Sequence, residues 1–192
     1  MIRQIDPGLY RVTSILLLLL SQGATAFAHS VIDKAPPKQE FHDTNHPLVL
    51  ARESDFLAAL LALHKEALSI SITTASQAKQ GKIREYAKRA IARHRGQIAR
   101  LNTLLTQHAH DAKPDFHVMP AESELRQSSG TAADKQYLRL MIRLISEKIE
   151  LAEFASGTVK AKPVRQLAEA TIDKDFSELL MLGRWLNHSS SK

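Results

Sequence analysis

Apolar residues recur at three- and four-residue spacing along four long stretches of the chain, the pattern of helices that bury one face. The first stretch carries Leu57, Leu60, Leu61, His64, Leu68 and Ser71 on one face and predicts a helix over residues 50–76. A second follows Gly81, with Ile83, Ala87, Ala90, His94, Gln97, Leu101, Leu104 and His108 in a/d heptad alternation. The third, over 132–155, rests on Leu138, Met141, Ile142, Ile145, Ile149 and Ala152. The fourth begins at Pro163, a residue suited to a first helical turn, and carries Val164, Ala168, Thr171, Asp175, Glu178, Leu182 and Trp185. Residues 109–131, with Pro114, Pro120 and Gly130, break the periodicity and predict an irregular crossover.

The second pair of helices repeats the first at a constant offset without a gap: Leu57/Leu138, Leu63/Leu144, Glu66/Glu147, Ala87/Ala168 and Leu101/Leu182 are identical pairs. Two copies of a helical hairpin make an all-α four-helix bundle over residues 50–188, with repeat 1 at 50–108 and repeat 2 at 132–188. A crossover of this length can run along a helix of about 36 Å, which gives the one-long-connection topology of ferritin-like bundles. The second and third helices then run parallel, and residues at the four helix centres meet in one layer.

The start of the chain reads differently. Arg3 and Arg11 precede the apolar run Ile15 to Leu20, and Ala26-Phe27-Ala28 is a small-x-small cleavage site, so residues 1–28 form a secretory signal peptide and the mature chain begins at His29. Cleavage after Ala26 is the alternative. Ser21, Gln22 and Gly23 interrupt the run well short of the ~20 apolar residues that a membrane span needs, so no stable span is expected once the signal is removed. Residues 29–49, with Pro36, Pro37 and Pro47, are expected to form an irregular arm. The chain has no cysteine, so an exported fold must be held by packing, with or without a metal; a bacterial periplasm fits. Basic residues exceed acidic ones, 26 to 20, but they lie between apolar seam positions and lack interleaved aromatics, which argues for a solvated face over a nucleic-acid surface.

The middle of the seams holds polar residues where leucine is usual: His64, His94 with Gln97, and Asp175 with Glu178. The i, i+3 spacing of the last two pairs places both members on one helix face. Two imidazoles and two carboxylates are a donor set for a borderline divalent ion such as zinc or copper. A buried polar layer is the competing reading: a carboxylate pairs with a histidine or with Lys148, and Gln97 fills the remaining hydrogen bonds. On that reading His64 is a core histidine paired to an acid across the bundle. A di-iron site would need more acids than this layer has.

The hairpins resemble the domain-of-unknown-function 305 family, exported ferritin-like bundles that include copper-binding members, over residues 53–105 and again 134–186. The family's repeat reads roughly F-x-x-x-M-I-x-H-H-x-x-A-I-x-M-A, then L-A-x-x-I-x-x-x-Q-x-x-E-I-x-x-M. In the first copy its His-His pair falls on Leu63 and His64, its Met positions on Ile70 and Leu101, and its Gln and Glu on His94 and Gln97. In the second copy these positions hold Leu144 and Ile145, Leu151 and Leu182, Asp175 and Glu178. The resemblance implies the bundle, export and copper binding, while most of the family's soft ligands are replaced here.

Two further donor groups lie outside the layer. His108, His110, Asp111, Asp115, His117 and Met119 cluster at the end of the second helix and in the crossover; His29, as the first mature residue, offers an amine and an imidazole for copper, with His42 or His46 as a third donor. No nucleophile and base pair, phosphate loop or H-E-x-x-H motif is present, so no enzymatic activity is expected. The expected function is metal handling in the periplasm, weak or vestigial, with copper or zinc. The alternative is a metal-free envelope module whose basic faces meet anionic partners.

Overall fold

The computed structural model describes residues 53–108 and 121–190, all of which belong to helices or the short turns that join them. Among the described residues five helices follow in order: α1 (Glu53–Gln77), α2 (Gly81–His108), α3 (Ala121–Arg126), α4 (Gly130–Thr158) and α5 (Lys162–Ser190). The signal peptide, the arm at 29–49 and most of the crossover lie outside the described residues.

The four long helices are the predicted ones, each within a few residues of its expected bounds. Their apolar stripes form the core, in which Phe56, Leu63, Leu101, Tyr137, Leu144 and Leu182 are fully buried. Burial of such side chains, at roughly 1.5–3 kcal/mol each, is what holds helices of mixed propensity together. By length and composition α1 could cross a membrane, but 61% of its apolar window is buried inside the bundle, as in a core helix.

Helix directions follow from three contacts. Ser71, late in α1, meets the hydroxyl of Tyr137, early in α4, at 3.0 Å. Glu53, at the start of α1, accepts a hydrogen bond from the backbone N–H of Ala161, just beyond α4, at 2.6 Å. Asp134, near the start of α4, in turn accepts from the N–H of Gln80, just beyond α1, at 2.8 Å. Thus α1 and α4 are antiparallel. Each also runs antiparallel to its hairpin partner, so α2 and α4 are parallel and the connection between them must cross the length of the bundle. This is the expected ferritin-like topology.

The turns of the two hairpins are built alike. Gln80 CO accepts from the N–H groups of Ile83 and Arg84, and Ala161 CO from those of Val164 and Arg165, the matching positions of the second repeat. A carboxylate from the neighbouring hairpin holds each turn: Asp134 accepts from the N–H groups of Lys79 (3.1 Å) and Gln80 (2.8 Å), as Glu53 does from Ala161. Glu53 and Asp134 are themselves matched by the repeat. These bonds satisfy N–H groups at the helix starts, which have no partner within the helix.

The crossover differs in part from the irregular linker expected. Its second half forms α3, which buries Ala121 and Leu125 against α1 and α4. Glu66 of α1 accepts from the N–H groups of Ala121 and Glu122, and Ser69 donates to Glu122 at 2.8 Å. From α4, Arg143 donates to Glu124 at 2.9 Å. A helix this short shows no periodicity that could stand out, and its stability comes from these contacts with α1 and α4. It is followed by Gly130, whose φ of 60° needs glycine at the turn into α4.

Candidate functional site

The sequence places His64, His94, Asp175 and Glu178 near mid-height, and the structure puts all four in the interior with His64 and His94 at 7% and 1% exposure. It does not gather them into one ligand set. His64 Nδ1 and His94 Nδ1 face each other at 2.9 Å, a hydrogen bond that requires one ring to donate and the other to accept. The expectation that His64 pairs with an acid is therefore corrected: its partner is the second imidazole.

Each acid is held by a cation instead. Asp175 Oδ2 lies 2.8 Å from Lys148 Nζ, and the lysine, 1% exposed, reaches it from α4. Glu178 Oε1 accepts from both the Tyr86 hydroxyl and the Arg93 guanidinium. The Arg93 guanidinium also lies 5.7 Å from the centre of the Tyr86 ring, and Trp185 meets that ring edge-on at 5.7 Å. Because a buried charge is very costly unless paired, these partners explain how two carboxylates are tolerated in the core.

The surroundings set the charge state of the histidines. Burial, together with the nearby Lys148 and the partner ring, lowers the pKa of His64 to about 2. Burial, Lys148 and Arg93 lower that of His94 to about 3. Both rings are neutral at pH 7. Burial and the adjacent Glu178 charge push the Tyr86 phenol up, so it stays a proton donor.

The tautomers follow from what each ring can reach. His94 Nε2 is sealed from solvent without a hydrogen-bond partner, whereas His64 Nε2 is not sealed in this way. An orphaned buried N–H donor is disfavoured, so His94 carries its proton on Nδ1 and donates it to His64 Nδ1. His64 then carries its own proton on Nε2.

His64 also lines a cleft of about 220 Å³ between α2 and α5, together with Arg93, Gln97, Arg100, Thr171, Lys174 and Asp175. Gln97 thus lies on the cleft and makes no bond that closes the layer. Arg93, Arg100, Lys174 and Tyr86 carry no signal in the sequence that sets them apart. The spacing Arg93, Gln97, Arg100 does place all three on the flank of the α2 seam, but similar spacing is common on solvated faces.

The donor set fits a divalent metal poorly. The carboxylates are committed to Lys148, Arg93 and Tyr86, the histidine nitrogens that face each other share a proton, and the local charges are positive. Among the described residues no three His, Asp or Glu side chains are grouped to hold an ion. His108 is the last residue of α2; His29, His110 and His117 lie outside the described residues.

The fold and layer define a ferritin-like four-helix bundle with a polar core. Residues 42–176 match the sequence pattern of the family Domain of unknown function (DUF4142), and the chain belongs to that family. A comparison with curated protein sequences finds no match. Among solved structures, a DUF305 protein from Streptomyces coelicolor, described as secreted, superposes with a TM-score of 0.64 at 15% identity, over 72% of this chain and 93% of that one. CopM in its Cu(I)-bound form gives 0.63 at 15% identity, over 71% and 96%. A DUF305 fragment from Deinococcus radiodurans gives 0.55 at 19%, over 71% and 95%. The resemblance to the 305 family read from the repeat is thus met at the level of fold, and at these identities the likeness concerns the fold alone.

Proposed function

We propose that this protein is an exported, non-catalytic helical bundle of the bacterial periplasm whose central layer is structural, and that it acts through its basic surface as an envelope interaction module. The observation that carries the structural reading of the layer is the Lys148–Asp175 pair: a buried ammonium sits 2.8 Å from a carboxylate that a metal would require. A dication entering the layer would displace a cation already ion-paired there and leave it buried without a partner. The fold neighbour described as secreted supports export, as does the signal-peptide pattern.

A second reading, copper or zinc handling, is favoured by the copper-bound forms of CopM among the fold neighbours. On that reading the layer's His64 and His94, which are neutral as metal ligands must be, or His29, His108, His110 and His117 outside it, would hold the ion. Elemental analysis of protein isolated from the periplasm separates the two. The structural reading expects less than 0.1 equivalent of copper or zinc per chain, a threshold well under the roughly one equivalent of a filled site. Stoichiometric metal retained through dialysis would favour the second reading.

A further inference from the structure

We propose that the cleft between α2 and α5 is a binding site for a small oxyanion of the phosphate or sulfate type. The inference does not rest on the reading above: a structural layer is compatible with an empty or a filled cleft, and a metal in the layer would engage His64 and Asp175 but leave Gln97, Arg100 and Lys174 in place.

The cleft forms where the bundle is least closed. The helix backbones pack closely in the pairs α1–α2, α4–α5 and α1–α4, which leaves the α2–α5 seam to be filled by side chains. At one level that seam is filled by Tyr86, Glu178 and Trp185. At the cleft, α5 offers only Ala170 and Thr171 between Leu167 and Lys174, and the space stays open. Its volume of about 220 Å³ is below the ~300–1,000 Å³ of pockets for drug-sized ligands, so its occupant must be small.

The charge of the walls selects the sign of that occupant. Arg93, Gln97 and Arg100 come from successive turns of α2, and Lys174 faces them from α5. Asp175 also lines the cleft, but its charge is answered by Lys148, and that of Arg93 by Glu178. Arg100 and Lys174 have no carboxylate partner among the described residues, which leaves an excess of two positive charges at the mouth. The remaining groups are donors of the right kind. Gln97 offers an amide NH2, the guanidinium groups offer forked N–H pairs matched to oxyanions, and His64 offers the Nε2–H that its bond to His94 leaves free. A cation would meet repulsion here, and an apolar ligand would strip water from the charged groups without replacing its bonds.

The test follows the melting temperature and a calorimetric titration with inorganic phosphate, and separately sulfate, with ionic strength held constant by sodium chloride. The wild-type chain should be stabilised by phosphate or sulfate beyond chloride, by mass action on the folded state. The variant Arg100→Gln/Lys174→Gln changes two exposed side chains, so its ligand-free melting temperature should stay within a few degrees of wild type while affinity falls at least tenfold. Equal stabilisation by chloride, or phosphate binding unchanged in the double variant, would overturn the proposal.

Discussion

His64 and His94 share one proton across 2.9 Å, and neither has a carboxylate to compensate a second. The core therefore holds both rings neutral, with folded pKa values of about 2 and about 3 against 6.5 for a free imidazole. The sign of the consequence is fixed. Below pH 6.5 the unfolded chain takes up protons that the folded one excludes, so stability is full above that pH and falls as pH drops toward 3. Between pH 7 and 5 the loss is about 2 kcal/mol for each histidine, before most carboxylates begin to titrate. Chemical denaturation at these two pH values checks it: wild type should lose several kcal/mol, and His64→Leu/His94→Leu should show a much flatter profile. Equal pH dependence of the two proteins would mean that the rings titrate freely in the fold.

At the scale of helices, the bundle is tied at its ends by acids that cap a turn of the opposite hairpin. Asp134 is fully buried at the start of α4 and accepts two N–H groups that precede α2. Asp134→Ala leaves both donors without a partner, and its expected cost is about 2 kcal/mol, read as a lowered denaturant midpoint at unchanged slope. A loss under about 0.5 kcal/mol, the range of ordinary surface changes, would show that water replaces the carboxylate. The long helices were legible in the sequence because Leu57, Leu101, Leu138 and their neighbours keep a strict period over many turns. These end contacts were not, because a capping acid from another hairpin leaves no periodic trace. The same holds for α3, whose short run is recruited by Glu66 and Ser69.

For the whole molecule, the topology and the polar middle layer followed from the hairpin repeat, while the chemistry of that layer did not. Sequence spacing places Asp175 and Glu178 on one face but says nothing of what reaches them from other helices. Lys148, the alternative to a histidine partner, takes Asp175; Arg93 and Tyr86, which flank the seam, take Glu178. A long side chain extending from the edge of a helix can thus turn a donor set into a closed network. A fold shared with copper-bound CopM does not by itself imply a metal site, since a site depends on its residues and their partners.

The most direct measurement of this claim is the melting temperature of the purified chain with and without one to ten equivalents of zinc, copper(II) or, under reducing conditions, copper(I). A ligand held by the layer stabilises the folded state in proportion to RT ln(1 + [L]/Kd), about 2.7 kcal/mol at a hundredfold excess over Kd. With Asp175 and Glu178 bound by Lys148, Arg93 and Tyr86, the account predicts no rise for wild type and none for His64→Leu. A rise of several degrees in wild type that vanishes in His64→Leu would contradict it and place a metal at the centre of the bundle.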